Sequence, residues 1–225
     1  MNKNSNKADV IAIDGPAGSG KSTTAKILAR KLGFLFLDTG AMYRALTLKA
    51  MRQGIDLDDE DALKRLVDNT SVRLSNRDGK LHVLLDGEDV SREIRSAEVS
   101  RNVARVAAKG AVRERMVQLQ REFAETGSVV AEGRDVGTVV FPDAKLKIFL
   151  VASIEERARR RMRETDSAAR LQEMMADLKK RDEADSLRDH SPLVKAEDAI
   201  EVDTTGLTIE QQVNLIAQLW EKKKK

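Results

Sequence analysis

Near the start of the chain, Gly15-Pro16-Ala17-Gly18-Ser19-Gly20-Lys21-Ser22 satisfies the spacing G-x-x-x-x-G-K-[ST] at every specified position. Residues of these types in this order bind polyphosphate. Glycines let the backbone wrap closely around a phosphate, and the free amides at the start of the following helix donate to its oxygens. Lys21 supplies a cation across the β- and γ-phosphates, and the Ser22 hydroxyl is a ligand for Mg²⁺. A glycine-rich turn that matches by chance is the alternative. The apolar run before the loop and the helical pattern after it argue against that. The expected ATP-binding set is Gly15, Pro16, Ala17, Gly18, Ser19, Gly20, Lys21, Ser22 and Thr23.

A triphosphate site leaves the reaction open. Transfer to a second phosphate requires positive charge at the acceptor, and arginine is suited to it because its planar fork pairs two phosphate oxygens at once. Arg44 follows the second strand signal and Arg134 the third, where ligands collect in α/β sheets. A guanine-nucleotide switch is the rival reading. Asn6-Lys7-Ala8-Asp9 matches N-K-x-D, and Asp203-Thr204-Thr205-Gly206 matches D-x-x-G. The first has only five residues ahead of it, too few for the strand that must carry it, and patterns this short recur by chance.

These residues need a frame, and the chain reads as alternating strands and helices. Val10 to Ile13, Phe34 to Leu37, Val129 to Ala131, Leu146 to Val151 and Ala199 to Val202 are short apolar runs, with helical stretches between them. That alternation predicts a parallel sheet covered on both faces. Ser153-Ile154-Glu155-Glu156 and Thr208-Ile209-Glu210-Gln211 fit capping boxes. After the second, Ile209, Val213, Ile216 and Trp220 share one helical face, which predicts a last helix packed on the sheet with Trp220 in the core. One region breaks the pattern: Val72 to Ser75, Asn76-Arg77-Asp78-Gly79 and Leu81 to Leu85 read as an antiparallel hairpin, with a further turn at Asp86-Gly87. A hairpin there suggests an insertion of roughly 40 residues.

Composition narrows the class. The chain has 225 residues, with 40 Lys plus Arg against 37 Asp plus Glu, a net charge of +3. That balance offers no broad basic face for a nucleic acid, and no apolar run exceeds five residues, so no membrane span is expected. Zero cysteines and two histidines exclude disulfides and leave little for a zinc site. Met1 to Asp9 is polar, unlike a secretory leader. A cytoplasmic monomer acting on small molecules is expected. The near-neutral average still leaves room for local charge, since 22 of the 40 basic residues are arginines.

The chain resembles the bacterial cytidylate kinases, P-loop nucleoside monophosphate kinases. The resemblance is carried by Ile13 to Ser22, by Leu37-Asp38-Thr39-Gly40-Ala41-Met42-Tyr43-Arg44, and by Glu132-Gly133-Arg134-Asp135-Val136-Gly137-Thr138-Val139-Val140-Phe141-Pro142. Arg181-Asp182 through Arg188, with Ser191-Pro192-Leu193, extends it toward the C-terminus. It implies an α/β, P-loop nucleoside triphosphate hydrolase-type three-layer sandwich with a five-stranded parallel sheet over residues 10–222. A monophosphate-binding insertion would span about 66–108 and a short lid about 159–170, with flexible ends at 1–9 and 223–225. The implied reaction moves the γ-phosphoryl group of ATP to CMP or dCMP. Another small-acceptor kinase, using UMP or a non-nucleotide, is the nearest alternative.

By position, the resemblance makes Arg44 and Arg134 acceptor-phosphate ligands, and Asp185 with Arg181 and Arg188 the group meeting sugar and phosphate. Thr39 and Tyr43 join the substrate site, and Arg113 and Asp135 become the base readers. Cytosine chemistry suits that last pair, because its exocyclic amine donates to a carboxylate while O2 and N3 accept from an arginine. Uracil reverses two of those polarities, and sites built this way discriminate by roughly 10⁴ or more. The chain departs from the family in one place: Ala104 stands where a serine usually faces the base, with Ser100 one turn earlier. Lys21, Arg134, Arg157 and Arg161 are the expected catalytic residues, with Arg160 beside the stripe that Arg157 and Arg161 form at i,i+4. Mg²⁺ is expected on Ser22 and, through water, on a strand-end carboxylate, Glu132 ahead of Asp38 and Asp14. Thr165-Asp166-Ser167 would break the helix and begin the lid.

Overall fold

The structure is a computed structural model and describes residues 8–77, 80–165 and 170–224. Asn6-Lys7 of the guanine-motif match, the Asp78-Gly79 turn, Asp166 and Ser167 of the expected lid, and the extreme ends lie outside the described residues.

The core opens with β1 (Val10–Asp14), α1 (Lys21–Leu32), β2 (Leu35–Asp38) and α2 (Thr39–Arg52). A segment with a different pattern follows: α3 (Glu60–Asp68), β3 (Val72–Arg77), β4 (Lys80–Leu85), β5 (Glu88–Asp89), a short 3₁₀ turn at Glu93–Arg95 and α4 (Ala97–Ala107). Alternation resumes with α5 (Gly110–Ala124), β6 (Val129–Gly133), β7 (Leu146–Val151), α6 (Ile154–Thr165), α7 (Leu171–Ser186), β8 (Ile200–Asp203) and α8 (Ile209–Lys224). All five expected core strands form, each within a residue or two of its apolar run.

They make one parallel sheet in the order β2-β6-β1-β7-β8. Side chains alternate across it as strand geometry requires. Ile11 and Ile13 face Leu28 of α1 and Val213, Ile216 and Trp220 of α8, while Ala12 and Ala131 face Met42, Ala45 and Leu46 of α2. Both faces are covered, which is why the strands read as continuous apolar runs rather than alternating ones. Trp220 is fully buried, edge-on to Phe34 with ring centroids 5.6 Å apart.

The hairpin pairs β3 with β4, and a third strand that the sequence did not signal, β5, is added across Asp86 and Gly87, both at positive φ. Val72, Val83 and Leu85 join the same core as α2 and β6. The two capping boxes differ. Thr208 and Gln211 cap reciprocally, whereas Ser153 accepts from the Glu156 amide but leaves its own amide to Thr205 Oγ1. Glu156 is drawn away by Arg160, 2.8 Å distant, because a charged partner outcompetes a neutral amide. Among the described residues no helix is long and apolar enough to cross a membrane.

Candidate active site

Strand register gathers the first side chains. Asp38 lies level with Glu132, and Asp14 with Gly133, so the carboxyl ends of β2, β6 and β1 stand abreast. The phosphate loop leaves β1 beneath them. Gly15, at φ +146, is forced to be glycine: a Cβ there would lie 2.1 Å from the Leu150 carbonyl oxygen of β7. The loop ends in Gly20, which caps α1 in a left-handed conformation with no side-chain cap, so the first amides of α1 stay open to an anion.

Lys21 folds back over this loop, its Nζ donating to Pro16 O at 2.7 Å and lying 3.4 Å from Ser19 Oγ. Burial, followed by repulsion from Arg134, pulls its ammonium down to about 7. The Ser22 hydroxyl donates to Glu132 Oε1 at 2.5 Å, and Thr39 Oγ1 donates to the Glu132 carbonyl at 2.7 Å. Burial and the neighbouring Asp38 push the Glu132 carboxyl up to about 6. Ser22 and Glu132 offer hard oxygen donors, too few for an all-protein cage but suited to Mg²⁺, which keeps waters and substrate phosphates in its shell. Among the described residues no cluster of three acidic, His or Cys side chains could hold a metal alone.

Asp14 is placed differently. It accepts the Val136 and Gly137 amides at 2.9 and 2.7 Å, and so anchors the turn Val136–Val140 that follows Asp135 instead of bordering the cavity. Burial raises its carboxyl from 3.8 to about 6. The folded state therefore resists ionising Asp14 more than the unfolded chain does, and stability is lost as pH rises through that window. Two pH units correspond to something on the order of 3 kcal/mol. Between pH 4 and 7, Asp14→Asn should gain stability relative to the native chain by about that amount in chemical denaturation. A difference independent of pH would mean that Asp14 ionises in the fold without penalty.

On the far side of the cavity stand Arg44 from α2, Arg134 after β6, and Arg181, Asp185 and Arg188 on and beyond α7. Arg134 Nε donates to Asp185 Oδ2 at 2.6 Å, and Arg188 lies 3.4 Å from Oδ1. Burial, with Arg134 and Arg44 next, lowers Arg181 to about 10, and burial likewise lowers Arg44. Four guanidiniums around one partly enclosed space, with Asp185 shared between two of them, make an anion site.

At the third side Arg113 of α5 forms a buried ion pair with Asp135, and its Nη1 donates to Ala107 O at 2.9 Å. The guanidinium carbon lies 5.3 Å from the Tyr43 ring centroid. Both charged groups are 4% exposed. Ala104 borders this end with Val103 and Ala107, while Ser100 does not, so α4 turns methyl groups toward Arg113 and Asp135 and no hydroxyl.

One cavity joins all three sides. Lining it are Ala17, Gly18, Gly20, Lys21, Ser22 and Thr23 of the loop, together with Thr39, Tyr43, Arg44, Arg113, Glu132, Arg134, Asp135, Arg161, Arg181, Asp185 and Arg188. Gly15, Pro16 and Ser19 do not border it. The arginine stripe on α6 divides. Arg161 reaches the cavity beside Glu164, 3.4 Å away. Arg157 lies under the loop, its Nη1 donating to Ala17 O at 3.1 Å and to Asp182 Oδ2 at 2.5 Å, while Asp182 Oδ1 accepts the Ala17 amide. Arg160 holds Ser19 O and Thr204. Sequence reasoning missed Glu164, although its i,i+3 spacing from Arg161 was a usable signal. It also missed Asp182, which only the tertiary fold brings to residue 17.

A family model described as cytidylate kinase matches residues 11–222. The chain is 53% identical over 210 residues to the cytidylate kinase of Pelotomaculum thermopropionicum, covering 92% of this chain and 93% of that one. It is 54% identical over 217 residues to the cytidylate kinase of Desulforamulus reducens, covering 95% and 97%. Among solved structures, an uncharacterized protein from Eubacterium ventriosum shares the fold at a TM-score of 0.52, with 15% identity over 94% of this chain and 97% of that one.

Proposed function

The chain belongs to the cytidylate kinase family, and from that premise we propose how its cavity moves the γ-phosphoryl group of ATP to CMP or dCMP, giving ADP and CDP or dCDP. One observation carries the assignment of residues. A single cavity joins an open helix N-terminus with Lys21, four arginines suited to a second phosphate, and a buried Arg–Asp pair of the right polarity for cytosine.

In this reading the loop amides and Lys21 hold the β- and γ-phosphates. Ser22 would hold Mg²⁺, with Glu132 behind it through water, and there the metal would supply charge to offset the phosphates of bound ATP. Arg44 and Arg134 grip the acceptor phosphate, with Arg181 and Arg188 behind them, while Asp185 sets the direction of Arg134 and Arg188 and meets the sugar. The acceptor oxygen is already a nucleophile near neutral pH, so positioning and charge neutralisation supply the catalysis. A bond forms from that oxygen to the γ-phosphorus, the bond to the β-bridging oxygen breaks, and ADP leaves with the electron pair. Arg161 approaches the migrating group, and Arg157 acts by position, holding Ala17 O away from the phosphate.

Asp135 accepts from the cytosine amine, Arg113 donates to O2 and N3, and Tyr43 and Thr39 complete the pocket. Uracil would set its O4 against the Asp135 carboxylate. Residues 66–108 form the monophosphate-binding segment, a reading supported by Val103, Ala104 and Ala107 at the base end. The lid that keeps water from the phosphoryl group is assigned to the 159–170 segment, supported among its described residues by Arg161 and Glu164 at the cavity. The protein works in the cytoplasm as a monomer on small nucleotides, with no nucleic-acid or membrane partner.

Labelled ATP tests the reaction. With γ-labelled ATP, Mg²⁺ and CMP, label should pass to CDP, and a chelator should stop the transfer. Label released only as inorganic phosphate, at a rate indifferent to CMP, contradicts the reading, and tight GTP binding with slow hydrolysis would favour a switch instead.

A further inference from the structure

Asp203-Thr204-Thr205-Gly206, a chance match to a guanine-nucleotide motif by sequence, sits against the back of the phosphate loop in the fold. Thr204 is fully buried. Its hydroxyl lies 3.1 Å from Ser19 O and 3.0 Å from Val151 O, so its one proton is shared between two carbonyls, and it accepts from Arg160 Nη1 at 3.0 Å. Arg160 also donates to Thr204 O at 2.8 Å and to Ser19 O at 3.3 Å, and Glu156 fixes it from behind at 2.8 Å. Gln212 of α8 closes the buttress. It too is fully buried, accepting from Thr24 Oγ1 at 2.8 Å and donating to Leu207 O at 3.1 Å.

Peptide geometry gives these contacts a consequence. In a trans peptide the C=O and the next N–H point in opposite directions. Holding Ser19 O outward therefore aims the Gly20 amide toward the cavity that Gly20 borders. Gly20 itself gives little resistance to a flip, because glycine takes either sign of φ readily. A flipped peptide would turn a carbonyl oxygen on the phosphates. Gly20 stands at φ +94, and a Cβ there would lie 3.2 Å from Gln212 Oε1, so the position favours glycine.

We propose that Thr204, acting through Arg160 and the Ser19 carbonyl, is a positioning residue for ATP that fixes the Ser19–Gly20 peptide with its N–H toward the phosphates. The inference rests on the reading of this loop as the ATP site. Calorimetric titration of the full chain with MgATP, without acceptor, tests it alongside steady-state KM values. Thr204→Val should weaken ATP binding about tenfold, the scale of one lost hydrogen bond, and change the KM for CMP less than twofold. Thr204→Ser, which keeps the hydroxyl, should bind ATP within twofold of the native protein. Native ATP affinity in Thr204→Val, equal losses in Val and Ser variants, or equal weakening of ATP and CMP would each overturn the proposal. Should Thr204→Val not fold, Arg160→Gln carries the same test, with the same tenfold loss expected and native ATP affinity overturning it. A protein that binds ATP but leaves CMP unphosphorylated would fail the functional reading and not this one, because the titration needs no acceptor.

Discussion

Lys21→Met should lower kcat by about 10³, near the upper end of what removing one preorganised charge or donor costs an enzyme. Phosphoryl transfer leaves little covalent work for the protein, so a cation fixed where charge shifts between γ- and β-oxygens contributes to the transition state directly. The same substitution should leave the fold intact, with a melting temperature equal to or above the native value. Lys21 is 5% exposed and its ammonium is held down mainly by burial, so the resting loop bears the penalty of desolvating it. Methionine has similar length and removes that penalty. Steady-state kinetics and thermal melts on one preparation separate the two effects. A kcat within tenfold of native would take Lys21 out of the transition state, whereas a large fall in melting temperature would make its loss structural.

The second large effect lies at the other end of the cavity. Arg113→Met should raise the KM for CMP by about 10² or more and leave ATP binding nearly unchanged, because on the proposed assignment the site then lacks the donor for cytosine O2 and N3. Stability should also fall, by about 3–5 kcal/mol, since Asp135 is left as a buried charge without its partner. Adding Asp135→Asn should recover stability without recovering discrimination against UMP. That split identifies a base reader, which a purely structural ion pair would not produce. Equal loss of ATP binding and CMP use would remove Arg113 from the base site.

The fold was legible because its cues are local. Five apolar runs ending in or beside Asp14, Asp38, Glu132, Val151 and Asp203 are strand signals in themselves, and Gly15 to Ser22 marks the loop without tertiary knowledge. Thr208 and Gln211 form the expected box because no other side chain among the described residues competes for Gln211. The box at Ser153 is only half made because Glu156 has a better partner four residues on, a choice that depends on which face of α6 meets the loop.

Within the site, most charged lining residues were legible, Glu164 excepted, and the supporting ones were not. Arg44, Arg113, Arg134, Asp135 and Asp185 sit in segments whose resemblance to a known family is specific. Arg157, Arg160 and Arg161 look alike in sequence, since i,i+4 spacing says which share a stripe and not what the stripe meets. Only packing sorts them, with Arg161 at the cavity, Arg157 on Ala17 and Arg160 on Ser19. Asp14, ranked behind Glu132 and Asp38 as a strand-end carboxylate for Mg²⁺, is occupied by the Val136 and Gly137 amides. Contacts spanning more than a hundred residues leave no trace in spacing.

The central claim is that the Arg113–Asp135 end of the cavity chooses cytosine for a phosphoryl transfer made at the Lys21 end. Comparing kcat/KM for CMP, dCMP, UMP, AMP and GMP, by ADP release at fixed ATP and Mg²⁺, tests it most directly. CMP or dCMP should lead UMP by roughly 10⁴ or more, with the purine nucleotides lower still. UMP used as well as CMP, or ADP release indifferent to every monophosphate, would contradict it.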